Sequence, residues 1–377
     1  MEQTALTYLC PDCMAYLRYD GKEQKWVCDY CGGKFTREEL EQRGAETKQD
    51  DYEIKPRAEA AENTAEISYH YEENITETDE DMSHLRAYHC PSCGGEIVTD
   101  DVTAATFCVF CGNPTILPTQ LEGEYRPSAI LPFETDKEDA RKAFLQLCKG
   151  KRLLPKGYTS EQRLEKITGV YVPFWLFDCK ADFDYHATGE NVITWSDTRF
   201  IYTKTDLYHI HRAGTMEFEN IPLDASEKMQ DDLMDALEPF HLEKKKPFDM
   251  SYLSGFLAEK YTYEPKDLYD RMTKRITPGV EHKAAEGGKS YQRVYGVKCH
   301  TDFSSKQQSY MLLPVWMLMS KYEGKEYLFA MNGQTGKIVG ELPVSNSRTV
   351  KWFVIIFCIS FVIVMIVLAL LAMGGVL

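Results

Sequence analysis

A cysteine spacing that occurs twice constrains this chain more than any other feature of its sequence. Two Cys-x-x-Cys pairs separated by 14 residues recur 80 residues later with the same spacing, and proline follows the first cysteine of each copy. Two such pairs, each at a hairpin tip, supply the four thiolates that a tetrahedral Zn²⁺ site requires. The repeat predicts two small zinc ribbons and two Zn²⁺ ions per chain, held by Cys10, Cys13, Cys28 and Cys31 and by Cys90, Cys93, Cys108 and Cys111.

Other roles for these eight cysteines fit the spacing less well. Rubredoxin-like iron uses the same ligand set and stays open as the metal. Disulfides are disfavoured in a cytoplasmic protein, where thiols stay reduced. A redox dithiol would be one isolated pair. Closed four-thiolate sites leave no open position, so we expect structural zinc rather than catalysis. Gly32, Gly94 and Gly112 follow three of the four pairs and predict left-handed turns there.

The C-terminal residues predict a membrane anchor. From Trp352 to Leu377 the 26 residues are all apolar or small except Ser360. A helix of that length reaches about 39 Å, enough for a hydrocarbon core of about 30 Å. Arg348 and Lys351 flank the span, and the positive-inside rule then places the bulk of the chain in the cytoplasm. Since the N-terminus lacks the basic region of a signal peptide, we expect a single-pass, tail-anchored protein with its N-terminus inside.

The acidic charge is concentrated between the two cysteine repeats. The chain has a formal net charge of −15, and residues 46–85 alone hold 13 acidic and three basic residues. This stretch has few large aliphatic residues, so it predicts a disordered linker. Neither cysteine repeat is basic, which makes nucleic acid an unlikely partner.

The remaining length predicts a mixed α+β domain with antiparallel strands. A chain of 377 residues has room for two or three domains. The expected organisation is zinc ribbon 1, linker, zinc ribbon 2, α+β domain and transmembrane anchor at residues 1–45, 46–85, 86–120, 121–347 and 350–377.

Apolar periodicity and turn residues predict the elements of this domain. The expected helices are one capped by Thr135 with Glu138, one starting at Asp224 or Ser226, and two more over 249–261 and 264–276. The expected strands are 171–177, 182–186, 199–202, 207–212, 291–301, 309–321, 327–331 and 338–341. Glu323-Gly324 and Asn332–Gly336 predict turns. Tyr171–Leu176 and Leu313–Leu318 share a proline followed by tryptophan, which predicts two related β-units with proline at a strand edge or start.

Two further groups of residues could carry chemistry. His209 and His211 would share one face of a strand, as would Asp182, Asp184 and His186, so a second metal or acid–base site would form if those faces met. The alternative is the solvated face of an antiparallel sheet. Cys148, Cys179, Cys299 and Cys358 are expected as small hydrophobic residues. Gly287-Gly288-Lys289-Ser290 lacks the first glycine of a phosphate loop, so we expect no nucleotide site there.

An ordered set of motifs resembles a family of uncharacterised bacterial membrane proteins described as TFIIB-type zinc ribbon-containing. The resemblance covers residues 87–345 and the anchor. It rests on the second cysteine repeat and on the segments Tyr171–Trp175, Leu223–Ser226, Leu237–Phe240, Tyr252–Phe256 and Asn332–Lys337. Some members carry the name of primosomal protein N′, a helicase, but this chain lacks the required phosphate loop. The resemblance implies no established activity.

Three functions are compatible with these observations. The first is a membrane-tethered cytoplasmic scaffold that binds membrane lipid through its anchor and a protein partner through its ribbons. The second is a role linked to nucleic acid in replication or transcription. The third is an enzyme that uses the α+β domain. We found no catalytic motif, so we expect that the chain is not an enzyme.

Overall fold

A computed structural model describes residues 7–43, 46–47, 85–90, 96–108, 113–117, 121, 126–286 and 290–373. The described strands, numbered in chain order, are β1 Thr7–Tyr8, β2 Leu17–Asp20, β3 Lys25–Cys28, β4 Lys34–Phe35, β5 Glu46–Thr47, β6 Leu85–His89, β7 Glu96–Asp100, β8 Thr103–Phe107, β9 Pro114–Ile116, β10 Ala129–Ile130, β11 Thr168–Ser196, β12 Ile201–Asp224, β13 Lys246–Pro247, β14 Leu257–Glu259, β15 Arg293–Tyr322, β16 Lys325–Asn332 and β17 Ile338–Gly340. The described α-helices are α1 Arg37–Arg43, α2 Lys137–Cys148, α3 Glu161–Leu164, α4 Asp231–Ala236, α5 Tyr269–Ala285 and α6 Asn346–Met373. Short 3₁₀ helices cover Leu242–Lys244, Met250–Leu253 and Pro265–Leu268. The expected mixed α+β class with antiparallel strands is confirmed.

The chain divides into two compact units. The first contains residues 1–20, 24–125 and 250–260, and the second contains 21–23, 126–249 and 261–377. In the first unit, β2, β3 and β4 form an antiparallel sheet, β6 pairs with β7, and β8 pairs with both β9 and β14. Most of the predicted linker, residues 48–84, lies outside the described part of the chain.

The segment Met250–Lys260 contributes to the core of the first unit. The indole of Trp26 donates to the carbonyl of Ser251 at 2.8 Å, and its ring lies 5.1 Å from that of Tyr252. A Cβ on Gly255, where φ is +89°, would lie 2.8 Å from the Arg18 Cβ, so only glycine fits this approach. Farther along, Ala258 pairs with Ala105 of β8. This segment therefore contacts both cysteine-containing regions, although nothing in the cysteine spacing indicates it.

The second unit is built around three long strands. β11, β12 and β15 have 29, 24 and 30 residues, and β11 pairs antiparallel with both others. β15 also pairs in parallel with β10 and antiparallel with β16, which continues to β17. Buried side chains cover β11 from Gly169 to Phe177 almost continuously, so this end of the strands forms the core.

Several strands that the sequence predicts separately are parts of one long strand in the structure. The expected strands 171–177 and 182–186 are one strand, because Asp178 and Lys180 alternate with buried Cys179 and Ala181 instead of ending the strand. In the same way, the expected strands 199–202 and 207–212 belong to β12, which begins at Ile201, and the expected strands 291–301 and 309–321 belong to β15, which begins at Arg293. Register shifts in the β11 pairings at Cys179 and Thr188 bend the ladder, which lets a strand of this length twist.

The predicted helix α2 is confirmed, but its cap is different. Asp136 is the N-cap and forms a capping box with Asp139. Thr135 cannot serve as the cap because its hydroxyl donates to the Gly333 carbonyl at 2.8 Å and accepts from the Trp316 indole at 3.0 Å.

Three other helix predictions have mixed outcomes. The helix expected from Asp224 begins only at Asp231, because Asp224 still belongs to β12. The helix expected over 249–261 is wrong, since that stretch holds a 3₁₀ turn and β14. The helix over 264–276 is confirmed as a 3₁₀ turn continuing into α5, which extends to Ala285.

The predicted turns are confirmed, and the two proline segments are neighbours. Glu323 and Gly324 both have positive φ between β15 and β16. Tyr171 pairs directly with Pro314. The expectation that these prolines stand at a strand edge or start is wrong, because Pro173 and Pro314 lie inside β11 and β15.

One helix of the described chain, α6, is long and apolar enough to cross a membrane. Its candidate span is Asn346–Val367, with a mean hydropathy of 2.8 and none of it buried against the rest of the described protein. This fits the single-pass arrangement that the sequence predicts.

Candidate metal centre

Two tight turns bring the first four cysteines together. In the first turn the N–H of Met14 donates to the Cys10 carbonyl, and in the second the N–H of Gly32 donates to the Cys28 carbonyl, both at 2.9 Å. Gly32 has the expected positive φ of 73°, and Met14, at the matching position of the first pair, also adopts a left-handed φ of 62°. Both turns therefore have the same backbone shape, with or without glycine.

The four sulfur atoms are spaced as one metal ion requires. The Sγ atoms of Cys10, Cys13, Cys28 and Cys31 all lie within 4.8 Å of one another. Cys10 Sγ lies 3.6 Å from Cys31 Sγ, and Cys13 Sγ lies 3.5 Å from Cys28 Sγ. Four sulfurs at about 2.3 Å from a tetrahedral zinc ion would be about 3.8 Å apart. These distances fit a shared ion. The prediction that these four cysteines form a cluster able to hold a metal ion is confirmed.

The proton equilibria of the cluster also favour a cation. Burial alone would raise the pKa of Cys28, but the backbone N–H groups of Cys31 and Tyr30 and the neighbouring thiols outweigh it and lower this pKa to about 7. For Cys13 the backbone of Ala15 lowers the pKa, whereas burial and the adjacent thiols raise it to about 12. One thiolate thus forms readily and suppresses the ionisation of its neighbours, which a divalent cation would offset.

The second cysteine repeat is described only in part. Cys90 and Cys108 are buried together against Ile97. The N–H of Cys108 donates to the carbonyl of Asn113 at 2.9 Å, just as Cys28 donates to Gly33 five residues on. Cys93 and Cys111 lie outside the described residues, so the second four-cysteine site stays a prediction.

The four cysteines outside the two repeats differ in how far they are buried. Cys148 and Cys179 are buried, as expected of small hydrophobic residues, and burial raises the pKa of both thiols. Cys299 is only half-buried, and Cys358 is exposed on α6. Cys358 lies within the candidate membrane span.

The strand faces that carry the histidine and aspartate residues lie side by side, because β11 pairs with β12. His186 on β11 is directly opposite His211 on β12, and Thr188 is opposite His209. Asp184 Oδ1 lies 2.7 Å from His211 Nε2 and 3.2 Å from His186 Nε2. We call Asp184, His186, His209 and His211 the histidine cluster.

Asp182 does not join the histidine cluster, because its carboxylate accepts a hydrogen bond from Thr215. The alternation of side chains along a strand correctly predicts that Asp184 and His186 share one face of β11 and that His209 and His211 share one face of β12. Their convergence depends on the β11–β12 register, which joins residues that are 23 to 27 positions apart.

Fold and site together define a two-unit α+β protein with an N-terminal cluster of four cysteines that can hold a metal ion, and with one apolar C-terminal helix. The chain is 34% identical over 316 residues to the protein of Bacillus subtilis (strain 168) described as "Uncharacterized protein YdjG", and the match covers 71% of this chain and 93% of that protein. The chain belongs to the same family as YdjG. No family model matches the chain. No solved structure matches it either.

Proposed function

We propose that this protein is a membrane-tethered scaffold that binds another protein through the distal end of the β11–β12 hairpin. The cysteine cluster supports a structural role for metal, and α6 supplies an anchor. In this proposal the chain holds two Zn²⁺ ions, is tail-anchored, has its N-terminus in the cytoplasm and carries out no catalysis itself.

The apolar tip of the hairpin is the observation that carries the proposal. The tip comprises Ile193, Trp195, Phe200 and Ile201, whose side chains are all exposed; Phe200 and Ile201 have 62% and 78% of their surface accessible. By the β11–β12 register, Ile193 and Trp195 lie on one face of the hairpin end and Ile201 lies on the other. Exposed large apolar side chains are typical of sites that bind another protein, and aromatic residues are enriched there.

The tip is ordered rather than a loose loop. The Asp197 carboxylate accepts hydrogen bonds from the backbone N–H groups of Arg199 and Phe200 at 2.7 and 2.8 Å and from the Tyr202 hydroxyl at 3.0 Å. The rings of Trp195 and Tyr202 stack 5.6 Å apart across the two strands. A partner would therefore meet a preformed surface and would not have to order it, which lowers the entropic cost of binding.

Site-specific photocrosslinking in intact cells tests this proposal. A photoreactive phenylalanine analogue replaces Ile201 at the tip, and the matched control replaces Leu145, an exposed apolar residue of α2. We expect protein adducts from position 201 that are absent from position 145, identified by mass spectrometry after capture of the full-length chain in detergent.

Other outcomes contradict the proposal. Absence of any protein adduct at position 201, or the same adducts from both positions, means that the tip is not a docking site. An adduct removed by nuclease would support the role linked to nucleic acid instead. Protease treatment of sealed vesicles of known orientation tests the membrane topology independently, since a cytoplasmic domain is cleaved only in inside-out vesicles.

A further inference from the structure

The histidine cluster lies on the outward face of the β11–β12 hairpin, on a rigid support. Side chains on the opposite face of the same strands are buried: Tyr185, Ala187 and Ile210 pack with Ala284 of α5. Because successive residues of a strand point to opposite faces, this packing fixes the outward direction of Asp184, His186 and His211. A site on packed strands holds its ligands more accurately than one on a loop.

The three donor atoms lie close together. Asp184 Oδ1, His186 Nε2 and His211 Nε2 lie within 4.8 Å of one another. The two imidazole rings are stacked at 4.4 Å with an angle of 9° between their planes. Asp184 Oδ1 lies 2.7 Å from His211 Nε2 and 3.2 Å from His186 Nε2. An ion bound by both imidazoles lies near the plane of each ring and about 2.0–2.2 Å from each donor atom, so one or both stacked rings must rotate about their side-chain torsions to admit it.

A fourth residue is placed to orient one of the ligands. His209 Nε2 lies 3.4 Å from the other ring nitrogen of His186, Nδ1. Histidines that bind a metal through one nitrogen usually donate the proton on the other to a nearby acceptor, which fixes the ring. His209 is positioned as that acceptor.

We propose that Asp184, His186 and His211 bind a divalent first-row transition metal ion such as Zn²⁺ or Ni²⁺, with His209 as a positioning residue. Two imidazoles and one carboxylate favour these ions over Ca²⁺ and Mg²⁺, which prefer oxygen ligands alone. The exposure of the site leaves further coordination positions to water. This site is separate from the cysteine cluster and does not depend on the scaffold function.

Zinc binding to the full-length protein in detergent tests the site. The protein is equilibrated by dialysis against a series of Zn²⁺ concentrations, and bound zinc is counted by elemental analysis. We expect His186→Ala and His211→Ala each to bind one ion fewer than wild type. His209→Ala should keep that ion with about 10–100-fold lower affinity, as for loss of an orienting partner. His282→Ala, an exposed histidine on α5, should match wild type.

A second measurement on the unaltered protein guards against misfolded variants. Diethyl pyrocarbonate modifies accessible imidazoles, so bound Zn²⁺ should protect His186 and His211 from modification while His282 stays reactive. Wild-type zinc stoichiometry and affinity in both alanine variants would overturn the proposal, and so would equal modification of His186 and His211 with and without Zn²⁺.

Discussion

At the residue scale, a buried ion pair joins Asp224 to Arg271 in the second unit. Its charges are costly to bury, and removing one partner alone would be strongly destabilising. The side chain of Asp224 is fully buried, and its Oδ1 lies 2.8 Å from Arg271 Nη2. Arg271 also contacts Asp231 and Asp235 at 3.0 and 2.7 Å. Burial raises the pKa of the Asp224 carboxyl, and the positive charge of Arg271 opposes this rise without cancelling it. Arg271 therefore favours the ionised form of Asp224.

Arg271→Met should strongly destabilise the folded protein, because it leaves the buried carboxylate of Asp224 without its partner. We expect a loss of about 3–5 kcal/mol at neutral pH, measured by chemical denaturation of the full-length protein in detergent. Arg141→Met is the control. Arg141 pairs with Glu161, whose side chain is 74% exposed, so its loss should cost at most about 1 kcal/mol.

The pH dependence of the Arg271→Met variant has a definite sign. A carboxyl whose folded pKa is raised binds its proton more readily in the folded state, so stability falls as the pH rises through the window above the unfolded value of about 3.9. Without Arg271 the pKa of Asp224 rises further. The deficit relative to wild type should therefore shrink as the pH is lowered toward that value. A deficit that is constant or grows on acidification would contradict this account.

At the scale of elements, the sequence predicts helices with a clear apolar stripe and misses features set by distant partners. Ala140, Phe144 and Cys148 recur every four residues and are buried on one face of α2, so the helix could be predicted. Its N-cap could not, because both Thr135 and Asp136 are suitable caps and only the contact of Thr135 with Gly333, 198 residues away, decides between them.

Two substitutions at adjacent positions in α2 should change stability by very different amounts. Phe144 is fully buried, and its ring meets that of Phe329 edge-on at 5.2 Å. Phe144→Ala should cost about 3–5 kcal/mol through the cavity it leaves. Leu145→Ala removes an exposed side chain and should change stability by about 0.5 kcal/mol or less. Denaturation midpoints that shift equally for the two variants would show that the assigned helix face is wrong.

At the scale of the whole molecule, the cysteine cluster is the best-predicted part of the account. Its ligands follow from a short-range spacing, and the local turns at Met14 and Gly32 need no distant contact. The position of Met250–Lys260 in the first unit could not be predicted in this way, since Trp26 and Ser251 are 225 residues apart in sequence. The histidine cluster is an intermediate case. The face of a strand on which each side chain lies can be predicted from the local sequence, but the register that pairs β11 with β12 cannot.

The anchor should be separable from the folded second unit. The N–H of Ser345 donates to the carbonyl of Leu153 at 2.8 Å, and beyond it the guanidinium of Arg152 lies 4.7 Å from the ring centroid of Trp352. A chain ending at Ser345 keeps the first contact and loses the second, which is worth about 0.5–1 kcal/mol. It also loses two exposed hydrogen bonds, from Asn346 to Glu323 and from Arg348 to the Arg152 carbonyl. We expect it to be soluble without detergent.

Thermal melting followed by circular dichroism checks the state of this shortened chain. The midpoint should lie within about 2–4 °C of the full-length value, the shift that corresponds to about 1 kcal/mol in a domain of this size. Aggregation, or loss of a cooperative transition, would mean that α6 stabilises the fold as well as locating it.

Metal content tests the central claim of this account most directly. Full-length protein purified in detergent is dialysed against buffer without added metal, which empties weak exposed sites, and zinc per chain is then measured by elemental analysis. The account predicts two tightly bound zinc ions in wild type and one in Cys28→Ser, because that change removes a ligand from the cysteine cluster alone. Absence of zinc from the wild-type protein, or an unchanged ratio in Cys28→Ser, would contradict it.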